Sequence, residues 1–156
     1  MSANDYAECT KPLFLVLKFR DRESEEFAAI AFSAKVTLTS AIRVEQPLNI
    51  VGDSDRLYRL VSNLIINAIQ YTPQFGKVTV VLERGENCAV IQVQDTGIGI
   101  PYQELTRIFD RFYRVNSDRS RKTGGSGLGL AIAKAIIKSH QGSSCCSTKR
   151  AFHRSS

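Results

Sequence analysis

The stretch from Asp53 to Pro73 constrains the fold more than any other part of the chain. Leu57, Leu60, Val61, Leu64, Ile65, Ala68 and Ile69 recur at steps of three and four residues, which gathers them on one face of a helix. Asp53 or Ser54 can cap its start, Asp55 suits the positive end of its dipole, and Pro73 stops it. After Gly76 the period changes. Residues 77–84 (KVTVVLER) and 88–95 (CAVIQVQD) are rich in β-branched residues and are joined by Gly85-Glu86-Asn87, which predicts a β-hairpin. A one-sided helix must lay its apolar face on another element, and the adjoining strands supply a sheet.

The remaining segments fit the same plan. Residues 24–35 (SEEFAAIAFSAK) have helical spacing, 36–44 (VTLTSAIRV) alternate as a strand does, and 48–52 (LNIVG) suit a second, short strand. Beyond the hairpin come a Gly-rich loop, a short helical piece around Tyr102–Phe109, and a basic, polar stretch through Gly127. A last helix is expected from Leu128 to about His140, with Gly142 at its C′ position. This order predicts a two-layer α/β sandwich, one mixed sheet packed on about three helices. A length of 156 residues suits one domain, and 43% hydrophobic residues suffice for one core. The expected organisation is a lead or linker over 1–20, the folded domain over 21–142, and an atypical tail over 143–156.

Composition narrows the function classes. Leu13–Leu17 is the longest early apolar run, far short of the roughly 20 residues that cross a bilayer, and it lacks a signal cleavage site. The domain is therefore expected in the cytoplasm, without direct membrane insertion, and an anchor elsewhere in a longer parent is compatible with this. Much of the +6 net charge is local: Arg107, Arg111, Arg114, Arg119, Arg121 and Lys122 stand against only Asp110 and Asp118. Such a stretch attracts polyanions, triphosphates included. No zinc-finger spacing, RNP motif or helix-turn-helix points to nucleic acid. Cys9, Cys88, Cys145 and Cys146 form no Cys-x-x-Cys pair and read as reduced bystanders.

Four segments carry possible chemistry. Asn63, Asn67 and Gln70 fall in one stripe of the long helix, with Tyr71 at its edge. Two amides four residues apart can aim carbonyl oxygens at one hydrated Mg²⁺, although an ordinary exposed polar face looks the same. Asp95-Thr96-Gly97-Ile98-Gly99-Ile100-Pro101 follows an apolar strand. Its glycines allow close backbone approach, and its carboxylate can accept a hydrogen bond from an exocyclic amine such as adenine's; a simple Asx turn is the alternative. Gly124-Gly125-Ser126-Gly127-Leu128-Gly129-Leu130 opens onto a helix, where free N–H groups form an anion site, or else it is a flexible linker. It matches neither the Walker A nor the dinucleotide pattern. In residues 108–115 (IFDRFYRV), Phe109 and Phe112 are expected to pack a short helix, while Arg111 or Arg114 can fork onto phosphate oxygens.

In order and spacing, these segments resemble the four nucleotide-binding boxes of sensor histidine kinases. LVSNLIINAIQYTP resembles the N box, VQDTGIGIP the G1 box, IFDRFYRV the F box and GGSGLGLAIAKAI the G2 box. The F box separates the chain from the wider superfamily that includes DNA gyrase. The resemblance implies the Bergerat α/β sandwich, ATP and Mg²⁺ as ligands, and phosphoryl transfer in two-component signalling. It implies Asn67 as the principal Mg²⁺ ligand, with Asn63 assisting. Tyr71 and Gln70 would contact nucleotide, Asp95 would read adenine beside Gly97, Gly99 and Ile100, and residues 115–127 would form the ATP lid. Thr123, Gly125, Gly127, Leu128 and Gly129 would line the phosphate side, and Arg114 would reach the γ-phosphate. The implied partners are a separate histidine phosphoacceptor domain and, indirectly, a response regulator.

Three departures stand out. Gln70 takes the place of the family's usual Lys. The only histidines are His140 and His153, neither in an acceptor motif, so no autophosphorylation is expected in isolation. His140, at a helix C-terminus, is expected to complement the dipole or be solvated. Residues 143–156 lack the alternation of the two strands that close the family's sheet. The alternative to a kinase domain is therefore a catalytically incomplete ATP-binding or interaction module.

Overall fold

The computed structural model describes residues 23–44, 52–86, 88–115 and 127–142. In chain order these form helix α1 (Glu23–Ser33), strand β1 (Thr37–Arg43), helix α2 (Ser54–Tyr71), strands β2 (Lys77–Arg84) and β3 (Ala89–Asp95), a 3₁₀ turn (Tyr102–Glu104) and helix α3 (Gly129–Ser139). The expected short strand at 48–52 lies outside the described residues except for Gly52, which is in no strand.

Strand β2 is central. It pairs in parallel with β1 from Thr37↔Lys77 to Arg43↔Glu83, and antiparallel with β3 from Val78↔Asp95 to Arg84↔Ala89. The sheet is therefore mixed, as the element order predicts. A parallel pair needs a long crossover, which α2 provides. The far end of that crossover is stitched to the chain entering β1: Phe75 N–H donates to Lys35 O over 2.7 Å, and Thr37 N–H to Gly76 O over 2.9 Å.

The helices cover one face of the sheet. The core joins Phe27, Ala31 and Val36 to Leu60, Val61, Ile65, Ala68 and Ile69 of α2, Val78 of β2, and Ala133 and Ile136 of α3. Leu38, Val80, Ile91 and Val93 pack against it from the same side of the strands. The opposite side carries polar pairs: Thr39 and Thr79 hydroxyls lie 3.1 Å apart, and Gln92 donates to Glu83 over 3.2 Å. This alternation makes two layers.

Local chemistry explains where α2 begins and ends. The Asp53 carboxylate accepts from the N–H groups of Asp55 and Arg56 at 3.0 and 3.1 Å, resolving the choice between Asp53 and Ser54 as N-cap. At the other end, buried Thr72 donates its hydroxyl to Ala68 O over 2.7 Å before Pro73 interrupts the helix.

Two expectations need correction. The helical piece around Tyr102–Phe109 is only one 3₁₀ turn followed by irregular turns, and its anchor is Ile108, which is buried, whereas Phe112 is 69% exposed. Phe112 adopts φ 62°, which no helix accommodates. At the end of α3, Gln141 and not Gly142 takes the left-handed C′ position, with φ 57°. Gly142 is the next residue: its N–H donates to Ile137 O (2.9 Å) and that of Gln141 to Lys138 O (3.1 Å), the double closure of a Schellman motif. A Cβ on Gly142 would stand 3.0 Å from Ile137 Cγ2, so the glycine serves packing there.

Candidate nucleotide site

Helix α2 is the floor of the site. Asn63, Asn67 and Gln70 are half-buried and Tyr71 is exposed, as expected of a polar stripe flanking an apolar one. Asn63 stands out because its Nδ2 is buried and has no hydrogen-bond partner among the described residues. A buried amide left unpaired costs about 1–3 kcal/mol, so a ligand that accepts from it recovers that energy.

Two loops cross this helix, each at a glycine. In the first, Asp95 ends β3 and its Oδ1 accepts from Gly97 N–H at 2.8 Å. Ile98 N–H then donates to Tyr71 O over 3.3 Å. A Cβ on Gly97 would lie 2.7 Å from that same carbonyl oxygen, so only glycine lets the loop pass so close to the end of α2. Thr96 fixes the loop to the sheet, donating N–H to Lys77 O (3.0 Å) and accepting Lys77 N–H on its hydroxyl (2.9 Å). Gly99 has φ 74°, a value that favours glycine, and Ile100 behind it is half-buried.

The second crossing is the start of α3. A Cβ on Gly129 would lie 4.0 Å from Asn63 Cβ and Cγ, so the helix N-terminus abuts the amide with the buried, unpaired Nδ2. Its N-cap, Leu128, makes no side-chain cap hydrogen bond, and its first turn has no acidic residue. The first N–H groups of α3 thus keep their capacity to bind an anion. Gly127, with φ 73°, accepts Phe112 N–H on its carbonyl at 3.0 Å, and a Cβ there would meet Phe112 backbone at 3.0 Å. The chain before and after residues 116–126 is thereby tied together. Arg114 is half-buried beside this tie and Arg111 is exposed.

The structure therefore brings Asn63, Tyr71, Asp95, Gly97 and Gly129 to one helix, with Asn67 and Gln70 between the two crossings and Gly127 and Leu128 leading into α3. Thr123 and Gly125 lie outside the described residues. Among the described residues, no group of three or more His, Cys, Asp or Glu could hold a metal ion. The amide oxygens of Asn63 and Asn67 fit a hard cation that also keeps water and ligand oxygens, as Mg²⁺ does. No helix of the described residues is long and apolar enough to cross a membrane.

The model of the family described as "Histidine kinase-, DNA gyrase B-, and HSP90-like ATPase" matches residues 52–153, which include both glycine crossings. The chain belongs to that ATPase family. Relatives that it matches include sensor histidine kinases. It is 53% identical over 120 residues to the sensor histidine kinase RppB of Synechocystis, a match covering 77% of this chain and 26% of RppB. The mycobacterial sensor histidine kinase MprB superposes with a TM-score of 0.66 at 31% identity, over 81% of this chain and 77% of that one. Full-length ShkA in complex with AMPPNP superposes with a TM-score of 0.68 at 26% identity, over 88% of this chain and 28% of ShkA. The chain thus spans about a quarter of the length of its curated relative.

For this histidine kinase-like ATPase domain, sequence reasoning missed three supports of the site. Thr96 and Thr72 carry no motif signal, because their hydroxyls serve local backbone. His140 meets a last-turn carbonyl of α3, Ile136 O, as a residue expected at a helix C-terminus can, but it is half-buried and its Nε2 also accepts from Asp53 N–H at the start of α2. Only the packing of α3 on α2, which a linear pattern does not contain, reveals that role.

Proposed function

We propose that this domain binds Mg·ATP between α2, the Asp95–Pro101 loop and the start of α3, and transfers the γ-phosphoryl to a histidine on a separate phosphoacceptor domain. The observation that carries this reading is the pair of glycine crossings on one helix. Gly97 passes the Tyr71 carbonyl and Gly129 abuts Asn63, eight residues or about 12 Å apart along α2. A purine at the first crossing and phosphates at the second suit that span.

Each residue has a distinct task. Asp95, already accepting from Gly97 N–H, has a second carboxylate oxygen that can accept from the adenine amine. Ile100 and Tyr71 would flank the ring. The uncapped N–H groups after Leu128 would hold phosphate oxygens, and Asn63 Nδ2 would donate to one. Asn67 and Asn63 would hold Mg²⁺, whose bound charge offsets that of the phosphates. Arg114 would steady the γ-phosphoryl in line with the acceptor imidazole. The phosphorus–oxygen bond to ADP breaks as a phosphorus–nitrogen bond forms. Positioning and charge neutralisation supply most of the catalysis, and no nucleophile is needed from this chain. A response regulator would take the phosphoryl group afterwards, in the cytoplasm.

The test is incubation of the chain with labelled ATP and a purified phosphoacceptor domain from a sensor histidine kinase. Acid-labile phosphohistidine on the acceptor is the expected result. Nucleotide binding with no transfer to any acceptor would favour the incomplete binding module.

A further inference from the structure

His140 closes α3 and touches the start of α2. Asp53 N–H donates to its Nε2 over 3.0 Å, and its Nδ1 lies 2.8 Å from Ile136 O. A backbone N–H only donates and a carbonyl only accepts, so these contacts require the neutral tautomer with the proton on Nδ1. The ring occupies a slot against Gly52, where a Cβ would stand 2.6 Å from His140 Cδ2 and 2.9 Å from Nε2. Gly52, Asp53 and His140 form a clasp. The Schellman closure through Gln141 and Gly142 holds the backbone behind the ring.

The clasp sits at one end of an antiparallel helix pair, and Gly129 against Asn63 sits at the other. Between them the contact is apolar, centred on Ala133 (0% exposed) and Ile136. Apolar burial is non-directional and tolerates sliding about a residue as small as alanine, whereas a hydrogen bond is directional. We infer that His140 is a positioning residue for nucleotide binding: its neutral imidazole pins α3 to α2 at Asp53 and so sets the N-terminus of α3 beside Asn63. This rests on the reading above that the N-terminus of α3 holds phosphates.

The clasp depends on Nε2 being an acceptor. A protonated imidazole has two donors and no acceptor, so it would face the Asp53 N–H donor to donor. Among the described residues, the charged groups adjacent in sequence to the clasp are the N-cap Asp53, Asp55 and Arg56 of α2, and Lys138 on its own helix. The Asp53 carboxylate is already engaged by the Asp55 and Arg56 amides and lies 3.8 Å from the Arg56 guanidinium. Turning it toward an imidazolium would uncap α2. Either response disturbs the helix pair.

The test uses the full chain with AMPPNP and with adenosine as probes. His140→Ala and Gly52→Ala are expected to weaken AMPPNP binding about three- to tenfold, the scale of one net hydrogen bond, and to leave adenosine affinity unchanged. His140→Gln, whose amide oxygen can accept near the Nε2 position, is expected to keep affinity close to wild type. The imidazole ¹⁵N spectrum, with His140→Gln assigning the signal, should show the proton on Nδ1. Unchanged AMPPNP affinity in folded His140→Ala and Gly52→Ala, an equal loss for adenosine, or a proton on Nε2 would overturn the assignment. A wild type that binds no nucleotide overturns the pocket reading and this role with it, and the ¹⁵N tautomer would tell that failure apart from a misassigned clasp.

Discussion

Replacing Gly97 with alanine would place a methyl group 2.6 Å from Asp95 Oδ1 and 2.7 Å from the Tyr71 carbonyl oxygen. Both distances are shorter than a relaxed structure tolerates, and the second neighbour is backbone in the last turn of α2, which cannot swing aside. Two hydrogen bonds are at risk: Gly97 N–H to Asp95 Oδ1 at 2.8 Å, and Ile98 N–H to Tyr71 O at 3.3 Å. At about 0.5–1.5 kcal/mol each, their loss amounts to about 1–3 kcal/mol. The loop carrying Asp95 must move away from α2, so most of this should appear in ligand affinity, as a drop of roughly five- to a hundredfold. Calorimetric titration with an ATP analogue, alongside thermal melting, measures both effects. Wild-type affinity in a Gly97→Ala protein with an unaltered melting temperature would refute the close crossing of loop and helix.

Other substitutions probe separate links. Gln141→Gly should raise stability by about 1 kcal/mol, because Gln141 holds a left-handed backbone (φ 57°) that glycine adopts freely; thermal or urea unfolding reads the gain. Asp53→Ala removes the side-chain acceptor for two N–H groups at the start of α2 and should lower stability by about 1 kcal/mol by the same measurement. Asn67→Ala should abolish most of the increase in ATP-analogue affinity that added Mg²⁺ gives, while leaving the metal-free affinity close to wild type.

Much of the fold was legible because periodicity reports burial. The seven residues assigned to the apolar face of α2 (Leu57, Leu60, Val61, Leu64, Ile65, Ala68 and Ile69) are all buried or half-buried, while Ile66, off that face, is exposed, and the hairpin of β2 and β3 appears within one residue of its expected bounds. The polar stripe with Asn63 and Asn67, and the glycines at 97 and 129, were legible for another reason: residue types that leave space or expose amides are unusual beside a core. Phe112 misled because i, i+3 aromatics suggest a helix, yet the contact to Gly127 forces a left-handed turn there. Gly142 misled because glycine is the common C′ residue, and the tight fit against Ile137 shifts it one place on. The clasp at His140 depends on two residues 87 positions apart, and no local pattern encodes it.

A nucleotide that reads Asp95 at one crossing and the start of α3 at the other should respond to a change at that carboxylate alone. The decisive measurement is the affinity of an ATP analogue, with and without Mg²⁺, for wild type and for Asp95→Asn. Tight, Mg²⁺-strengthened binding by the wild type and a loss of at least tenfold in the variant, about 1.4 kcal/mol, is the expected result. Equal affinity of the two proteins would contradict the placement of the purine beside Asp95, and with it the shared site along α2.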